Sequence, residues 1–146
     1  MMADEQRNLL QKIYTEQQLT ESNVAVLRQQ IEVTQVLLGR YQTGLMVLKE
    51  LEGKKEDEEV LMNVGGSVFV QAKLVNPTEV TRALGSGVRI EQGIEEAKKG
   101  VERAVESLGK QYEALVAEHE KMVNRSAVLE AQMRQIAEQI QAQGAQ

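Results

Sequence analysis

The chain has 146 residues, a net charge of −5, one proline, and only three tyrosines and one phenylalanine as aromatic residues. This length fits one domain, but so few aromatic side chains argue against the packed core and concave pocket of a conventional enzyme. The absence of cysteine excludes disulfides and thiolate metal sites.

The distribution of charge and apolar residues excludes further classes. An acidic chain without a basic stripe is a poor nucleic-acid binder. The longest apolar runs have four residues, whereas a membrane-spanning helix needs about 20. Asp4 and Glu5 lie where a secretory signal would be basic and then apolar. We therefore predict a cytoplasmic protein that binds neither nucleic acid nor membrane.

Residues 1–52 predict a long coiled-coil helix. One register of the heptad repeat contains positions 10, 17, 24, 31, 38 and 45, and the other contains positions 13, 20, 27, 34, 41 and 48. Nine of these twelve positions are apolar, and their spacing alternates between three and four residues without a slip. Such a pattern is typical of a sustained coiled-coil seam.

Residues 53–92 predict a linker and two β-hairpins. The segment contains the only proline and five of the eleven glycines. A Gly65-Gly66 break separates two runs rich in β-branched residues, 60–64 and 68–74, and the 85–87 turn separates 79–84 from 88–91. Both patterns indicate hairpins, and Pro77 marks the turn between them.

Residues 93–146 predict a second coiled-coil helix. The seam positions are 101, 108, 115, 122, 129 and 136 in one register and 105, 112, 119, 126, 133 and 140 in the other, and ten of the twelve are apolar. The two helices have nearly equal length, so each can serve as the partner of the other in an antiparallel hairpin. The fold class is therefore mainly α: a long antiparallel coiled-coil hairpin with two β-hairpins between its helices.

The four short strands have too little helix nearby to cover both of their faces, and unpaired strand edges are prone to aggregation. We therefore expect the strands to pair with strands of other subunits, which makes the protein an oligomer. The residues predicted to form these strands are Val64, Phe69, Val70, Leu74, Val80, Leu84, Val88 and Ile90.

Features that suggest chemistry have simpler explanations. His119 is a lone seam histidine without ligand-spaced neighbours, so no metal site is predicted. The glycine turns lack the residues of nucleotide-binding loops, so no cofactor and no enzymatic activity are predicted. Glycines at 44 and 100 cost helix stability, and we expect the helices to approach closely there; a bendable helix pair is the alternative.

The middle segment resembles the α class of prefoldin subunits. The resemblance depends on residues 64–74, on residues 85–91 and on the acidic helix start at 95–97. Members of this class have two β-hairpins between long helices, whereas a β-class subunit has one. This chain departs from the usual pattern at Asn63, at Gln71 and in the more polar strand segment around Arg82.

The resemblance implies a function and partners. It implies a hexamer of two α-class and four β-class subunits, whose strands form an intersubunit β-barrel. Its coiled-coil tips would capture non-native proteins without ATP and deliver them to a group II chaperonin. The alternative is an α-like subunit that assembles alone into filaments through the same strands.

The seam predicts where such a tip would open. Gln17, Thr20 and Ser126 should lie close together and form a polar layer two to three turns from the free end, and this layer should loosen the packing. The apolar residues beyond the layer are equally compatible with plain seam core. As client-binding residues we predict Leu9, Leu10, Ile13, Tyr14, Met133, Ile136 and Ile140.

Overall fold

The computed structural model describes residues 2–144, which form two long helices with four strands between them. The elements are α1 (Met2–Leu51), β1 (Glu59–Gly65), β2 (Val68–Lys73), β3 (Glu79–Gly85), β4 (Val88–Gly93) and α2 (Ile94–Gly144). The predicted order of helix, two hairpins and helix is confirmed. The described chain divides into two compact units: an arm unit (residues 2–35 and 110–144) and a strand unit (residues 36–109).

The heptad register accounts for the burial along both helices. All twelve seam positions of α1 and all twelve of α2 are buried or half-buried, whereas most other helical positions are exposed. Leu129 on the α2 seam is fully buried. The predicted seams are therefore confirmed, and each helix packs against its partner through one apolar stripe.

Each β-hairpin is a two-stranded antiparallel sheet, β1 with β2 and β3 with β4. The central turn residues Gly66 and Ser67 have φ angles of 59° and 61°, and Ser86 and Gly87 have 51° and 79°. Positive φ at both central residues is the requirement of a type I′ turn, whose twist matches that of the paired strands. The glycine-rich turns thus set the hairpin geometry.

One residue differs from the predicted strands, and the predicted turn at Pro77 is present. Leu74, predicted in the second strand, lies one residue beyond β2; its N–H donates to the Glu58 carbonyl (3.1 Å), and its carbonyl accepts from the Asp57 N–H (2.8 Å). The turn around Pro77 is held by Asn76, whose Oδ1 accepts hydrogen bonds from the Thr78 N–H and hydroxyl at 3.0 and 2.8 Å. These bonds satisfy backbone groups where the strands end.

The strand unit has a small core between its helical segments. Leu48, Ala97 and Val101 are buried there, with Tyr41, Leu45, Val80 and Val105 packed against them. Val80, which we predicted for contacts between subunits, therefore packs within its own chain and anchors β3 to the helices.

The predicted close approach of the helices at Gly44 and Gly100 is wrong. A Cβ atom on Gly44 would have no atom within 4 Å, apart from its neighbours along the helix. A Cβ atom on Gly100 would instead lie 2.9 Å from Cζ of Arg82, a β3 residue. The space at Gly100 thus accommodates a strand side chain.

Candidate functional site

The end of the arm unit that holds residues 2–14 and 130–144 carries an open groove between α1 and α2. We call it the terminal groove; its volume is about 570 Å³. The groove is lined by Arg7, Leu10, Gln11, Tyr14, Glu130, Met133, Arg134 and Ala137. The lining residues recur every three or four positions on each helix, so the antiparallel pairing of two seam edges creates the groove.

The floor of the terminal groove is apolar. Leu10 and Met133 are seam residues and are half-buried, while Tyr14 lies one position beyond the seam and remains 55% exposed. Ala137 lies one turn beyond Met133 and is small enough to leave the groove open. Apolar surface that stays in contact with water is the kind of surface that gains free energy when another apolar group covers it.

The rim of the terminal groove is charged. Arg7 and Arg134 contribute positive charge, and Glu130 contributes a carboxylate whose Oε1 lies 4.0 Å from Arg134 Nη2. Both members of this pair are more than 60% exposed, so water and salt screen them and they add little stability. The groove therefore offers hydrophobic contact inside a polar border.

The structure brings some of the predicted tip residues together. Three of the seven line the terminal groove, namely Leu10, Tyr14 and Met133. Ile13, Ile136 and Ile140 are half-buried on the seam, and Leu9 is 49% exposed outside the groove. The heptad repeat did not single out the groove residues Gln11, Glu130 and Ala137. The four-residue spacing of Gln11 from Arg7 and of Ala137 from Met133 was a usable signal.

The predicted polar layer is present. Gln17 and Thr20 are 5% and 6% exposed, and the Gln17 amide donates to Ser126 Oγ at 3.5 Å and to Glu21 Oε1 at 3.2 Å. The Oε1 atom of Gln17 is buried without a hydrogen-bond partner. The Thr20 hydroxyl donates to the Glu16 carbonyl at 2.8 Å.

A charge-assisted hydrogen bond flanks this layer on its outer side. Nη2 of Arg125 donates to Oε1 of Glu16 at 2.7 Å, and the two side chains are 46% and 49% exposed. This bond joins α2 to α1 beside the buried amide. The polar layer thus has a specific polar pairing between the helices, whereas its loosening effect on the packing stays a prediction.

A second groove of the arm unit reaches the polar layer, because Ser126 belongs to its lining. Its volume is about 440 Å³, and Val24, Ala25, Val123 and Ala127 are its apolar lining residues. The heptad repeat does not predict this groove, because it is formed by the small side chains of Ala25 and Ala127 beside the seam.

The strands of the strand unit expose apolar side chains. Of the residues predicted to join other subunits, five are between 42% and 57% exposed: Val64, Phe69, Val70, Leu84 and Val88. Each sheet has only two strands, and a lone two-stranded sheet is marginally stable in water. The strand unit thus presents both unpaired edges and exposed apolar faces.

Residues 2–144 contain neither a metal-binding cluster of acidic and histidine side chains nor a helix suited to span a membrane. No group of three or more histidine, aspartate or glutamate side chains is arranged to hold a metal ion in this range. Among the described helices, none is long and apolar enough to cross a membrane.

Sequence comparisons point to one family. A family model described as "Prefoldin subunit" matches residues 20–139. The prefoldin subunit alpha of Archaeoglobus fulgidus is 33% identical over 92 residues, which is 63% of this chain and 66% of that protein. The corresponding subunit of Methanopyrus kandleri is 43% identical over 60 residues, which is 41% of this chain and 36% of that protein. The matches therefore span less than two thirds of the length of these relatives.

Solved structures give the same fold. Filamentous PFD from Methanocaldococcus jannaschii matches with a TM-score of 0.64 and 23% identity, over 79% of this chain and 95% of that one. The prefoldin beta subunit from Thermococcus strain KS-1 matches with a TM-score of 0.57 and 16% identity, over 87% of this chain and 90% of that one. At these identities the similarity is one of fold.

Proposed function

This chain belongs to the prefoldin family as an archaeal-type α subunit, and on that premise we propose that it is part of an ATP-independent holdase. Its terminal groove captures apolar segments of non-native client proteins, and the complex delivers them to a group II chaperonin in the cytoplasm. The observation that carries the proposal is the open apolar floor of the groove, formed by Leu10, Tyr14 and Met133.

The groove suits many clients because its surface is adaptable. Methionine is unbranched and polarizable, so Met133 can repack around side chains of different shape. The polar layer around Gln17 lets the end of the seam separate, and separation would add Ile13 and Ile136 to the client surface. A client then replaces seam contacts with its own apolar side chains.

The affinity of one groove is small. Full burial of one large apolar side chain contributes about 1.5–3 kcal/mol, and two of the three floor residues are already half-buried. Covering the floor therefore contributes at most about 3–4 kcal/mol, which corresponds at best to a dissociation constant of about 1–6 mM. Useful capture requires several arms to act on one client, since linked sites raise the overall affinity.

Assembly supplies those arms. We propose that the exposed faces and edges of β1–β4 pair with strands of β-class prefoldin subunits and form a β-barrel in a hexamer of two α-class and four β-class subunits. Burial of Phe69, Val70 and Val88 between subunits would remove apolar surface that this chain leaves in water. The exposed edges would gain hydrogen-bond partners at the same time.

A second assembly is supported by one comparison. The neighbour with the TM-score of 0.64 is a filamentous PFD, and the same strands could join copies of this chain alone into a filament. Light scattering on the purified chain distinguishes the two assemblies. A finite complex that forms only after a β-class subunit is added supports the hexamer, whereas open-ended growth of the single chain supports the filament.

The holdase proposal is tested by removal of the terminal groove. A truncated chain without residues 1–16 and 130–146 should assemble normally but no longer suppress the aggregation of a denatured client. A sharper version compares Tyr14→Ser with Leu19→Ser, because both side chains are strongly exposed on α1 (55% and 62%) but only Tyr14 lines the groove. Equal suppression by both variants and by the truncated chain would refute capture at this site.

A further inference from the structure

The strand unit contains a pocket that the proposed function does not use. Its volume is about 370 Å³, and we call it the cationic pocket; its lining is Arg82, Gln92, Glu96, Lys99, Gly100 and Arg103. Arg82 comes from β3, Gln92 from β4 and the remaining residues from the first turns of α2. The pocket thus lies where the second hairpin meets the helix.

The guanidinium of Arg82 is held in a defined place. Its Nη1 donates a hydrogen bond to Oε1 of Gln92 at 3.1 Å, across the β3–β4 pair. On its other side it lies against Gly100, where any Cβ atom would come within 2.9 Å of Cζ of Arg82. Because Arg82 is already oriented, less side-chain entropy is lost when its remaining N–H groups bind a ligand.

The residues that line the cationic pocket carry more positive than negative charge. Three cationic side chains face one carboxylate, that of Glu96. Arg82 donates its hydrogen bond to the neutral amide of Gln92 rather than to a carboxylate. In a chain with a net charge of −5, such a local excess of positive charge is a distinct feature that attracts anions.

We propose that the cationic pocket binds an oxyanion. The planar N–H groups of Arg82 match two oxygens of one carboxylate or phosphate, and Lys99 and Arg103 supply further charge. Two sources carry this chemistry: a side-chain carboxylate of a neighbouring subunit, or free inorganic phosphate. The first source depends on the assembly proposed above, and it would make the pocket part of the contact between subunits.

The phosphate source is tested with the full chain in phosphate and in chloride at equal ionic strength. If 10 mM phosphate is ten times the dissociation constant, the melting temperature rises by about 3–6 °C. The double variant Lys99→Gln and Arg103→Gln should weaken phosphate binding at least tenfold in calorimetry. The variant Arg40→Gln and Lys121→Gln has the same change in charge away from the pocket and should bind phosphate normally.

The carboxylate source is tested in phosphate-free buffer by the mass of the assembly in light scattering. If a neighbouring subunit fills the pocket, the Lys99 and Arg103 variant dissociates at a protein concentration at which the control variant stays assembled. Gly100→Ala, which displaces Arg82, should act in the same direction, whereas Gly109→Ala has open space around it and should not. If neither phosphate binding nor assembly changes, the proposal is refuted; client binding is measured separately by the truncation.

Discussion

Replacement of Gln17 by leucine should strengthen the arm unit and weaken client capture. Gln17 is 5% exposed on the α1 seam, and its Oε1 is buried without a hydrogen-bond partner. Leucine is close in volume and suits a seam position. The substitution therefore removes an unsatisfied polar atom from the helix interface and adds apolar contact with α2.

The magnitude follows from these two effects. An unsatisfied buried polar group costs about 1–3 kcal/mol, while the lost bonds from the Gln17 amide to Ser126 and Glu21 were contributing about 0.5–1.5 kcal/mol each. The apolar side chain adds about 1.5–3 kcal/mol of burial. The central values of these ranges give a net stabilisation of about 2 kcal/mol, which raises the melting temperature by about 4–8 °C in a chain of this size.

Two measurements test this prediction. Hydrogen exchange of the amides in residues 2–16 and 130–144 should slow, and suppression of client aggregation should fall, because the seam no longer opens easily. Thr34→Val is the matched control: Thr34 is also a buried polar seam residue of the arm unit, at 6% exposure, but it lies far from the terminal groove along α1. A Gln17→Leu variant that is stabilised yet suppresses aggregation as well as the natural chain would refute the role of the polar layer.

Three further predictions concern single sites. In the strand unit, the hydrogen bond from Lys98 to Glu52 (2.9 Å) lowers the pKa of Glu52 and raises that of Lys98. Lys98→Met should therefore destabilise the chain most at pH values between 4.5 and 10.5, the ordinary pKa values of a glutamate and a lysine. In urea titrations this loss of stability should shrink as the pH falls through the lowered pKa of Glu52. It should shrink likewise as the pH rises through the raised pKa of Lys98. Nε2 of His119 is buried on the α2 seam without a hydrogen-bond partner, so His119→Leu should raise stability by about 1–2 kcal/mol in thermal unfolding; a lower melting temperature would contradict this. Phe69→Asp should reduce the assembled mass in light scattering, because it places a charge on an exposed strand face (53% exposed), whereas Val75→Asp, at an 83% exposed position outside the strands, should leave the mass unchanged.

The heptad repeat made the helices predictable in detail. Seam residues such as Leu10, Leu48 and Leu129 follow a spacing that only one face of a helix can satisfy, and burial reproduces that face position by position. The hairpins were predictable for a related reason, since the Gly65-Gly66 and Gly85-Ser86-Gly87 segments supply the positive φ angles that tight turns require.

The details that could not be predicted depend on contacts between different elements. Val80 and Arg82 both belong to β3, and sequence patterns do not tell which strand residues turn toward the helices of the same chain. The pairing of Arg82 with Gly100 joins positions that are far apart in sequence, so neither residue alone indicates it. The sequence predicted the seam residues of the terminal groove, because they follow from the heptad repeat. It did not predict the open volume of the groove, which depends on small residues such as Ala137.

The polar layer has a consequence for how far an arm can open. In our proposal, client capture competes with closure of the seam, because Leu10 and Met133 belong to both surfaces. Opening from the free end has to break the bond between Arg125 and Glu16 (2.7 Å) and separate Gln17 from Ser126, and beyond them the seam regains apolar residues on both helices. The buried amide weakens the seam at this level, and the apolar seam residues beyond it oppose further opening. The bond between Arg125 and Glu16 adds little resistance, because both side chains are nearly half exposed. A substitution of Gln17 can therefore change the affinity for clients even though the client does not contact residue 17.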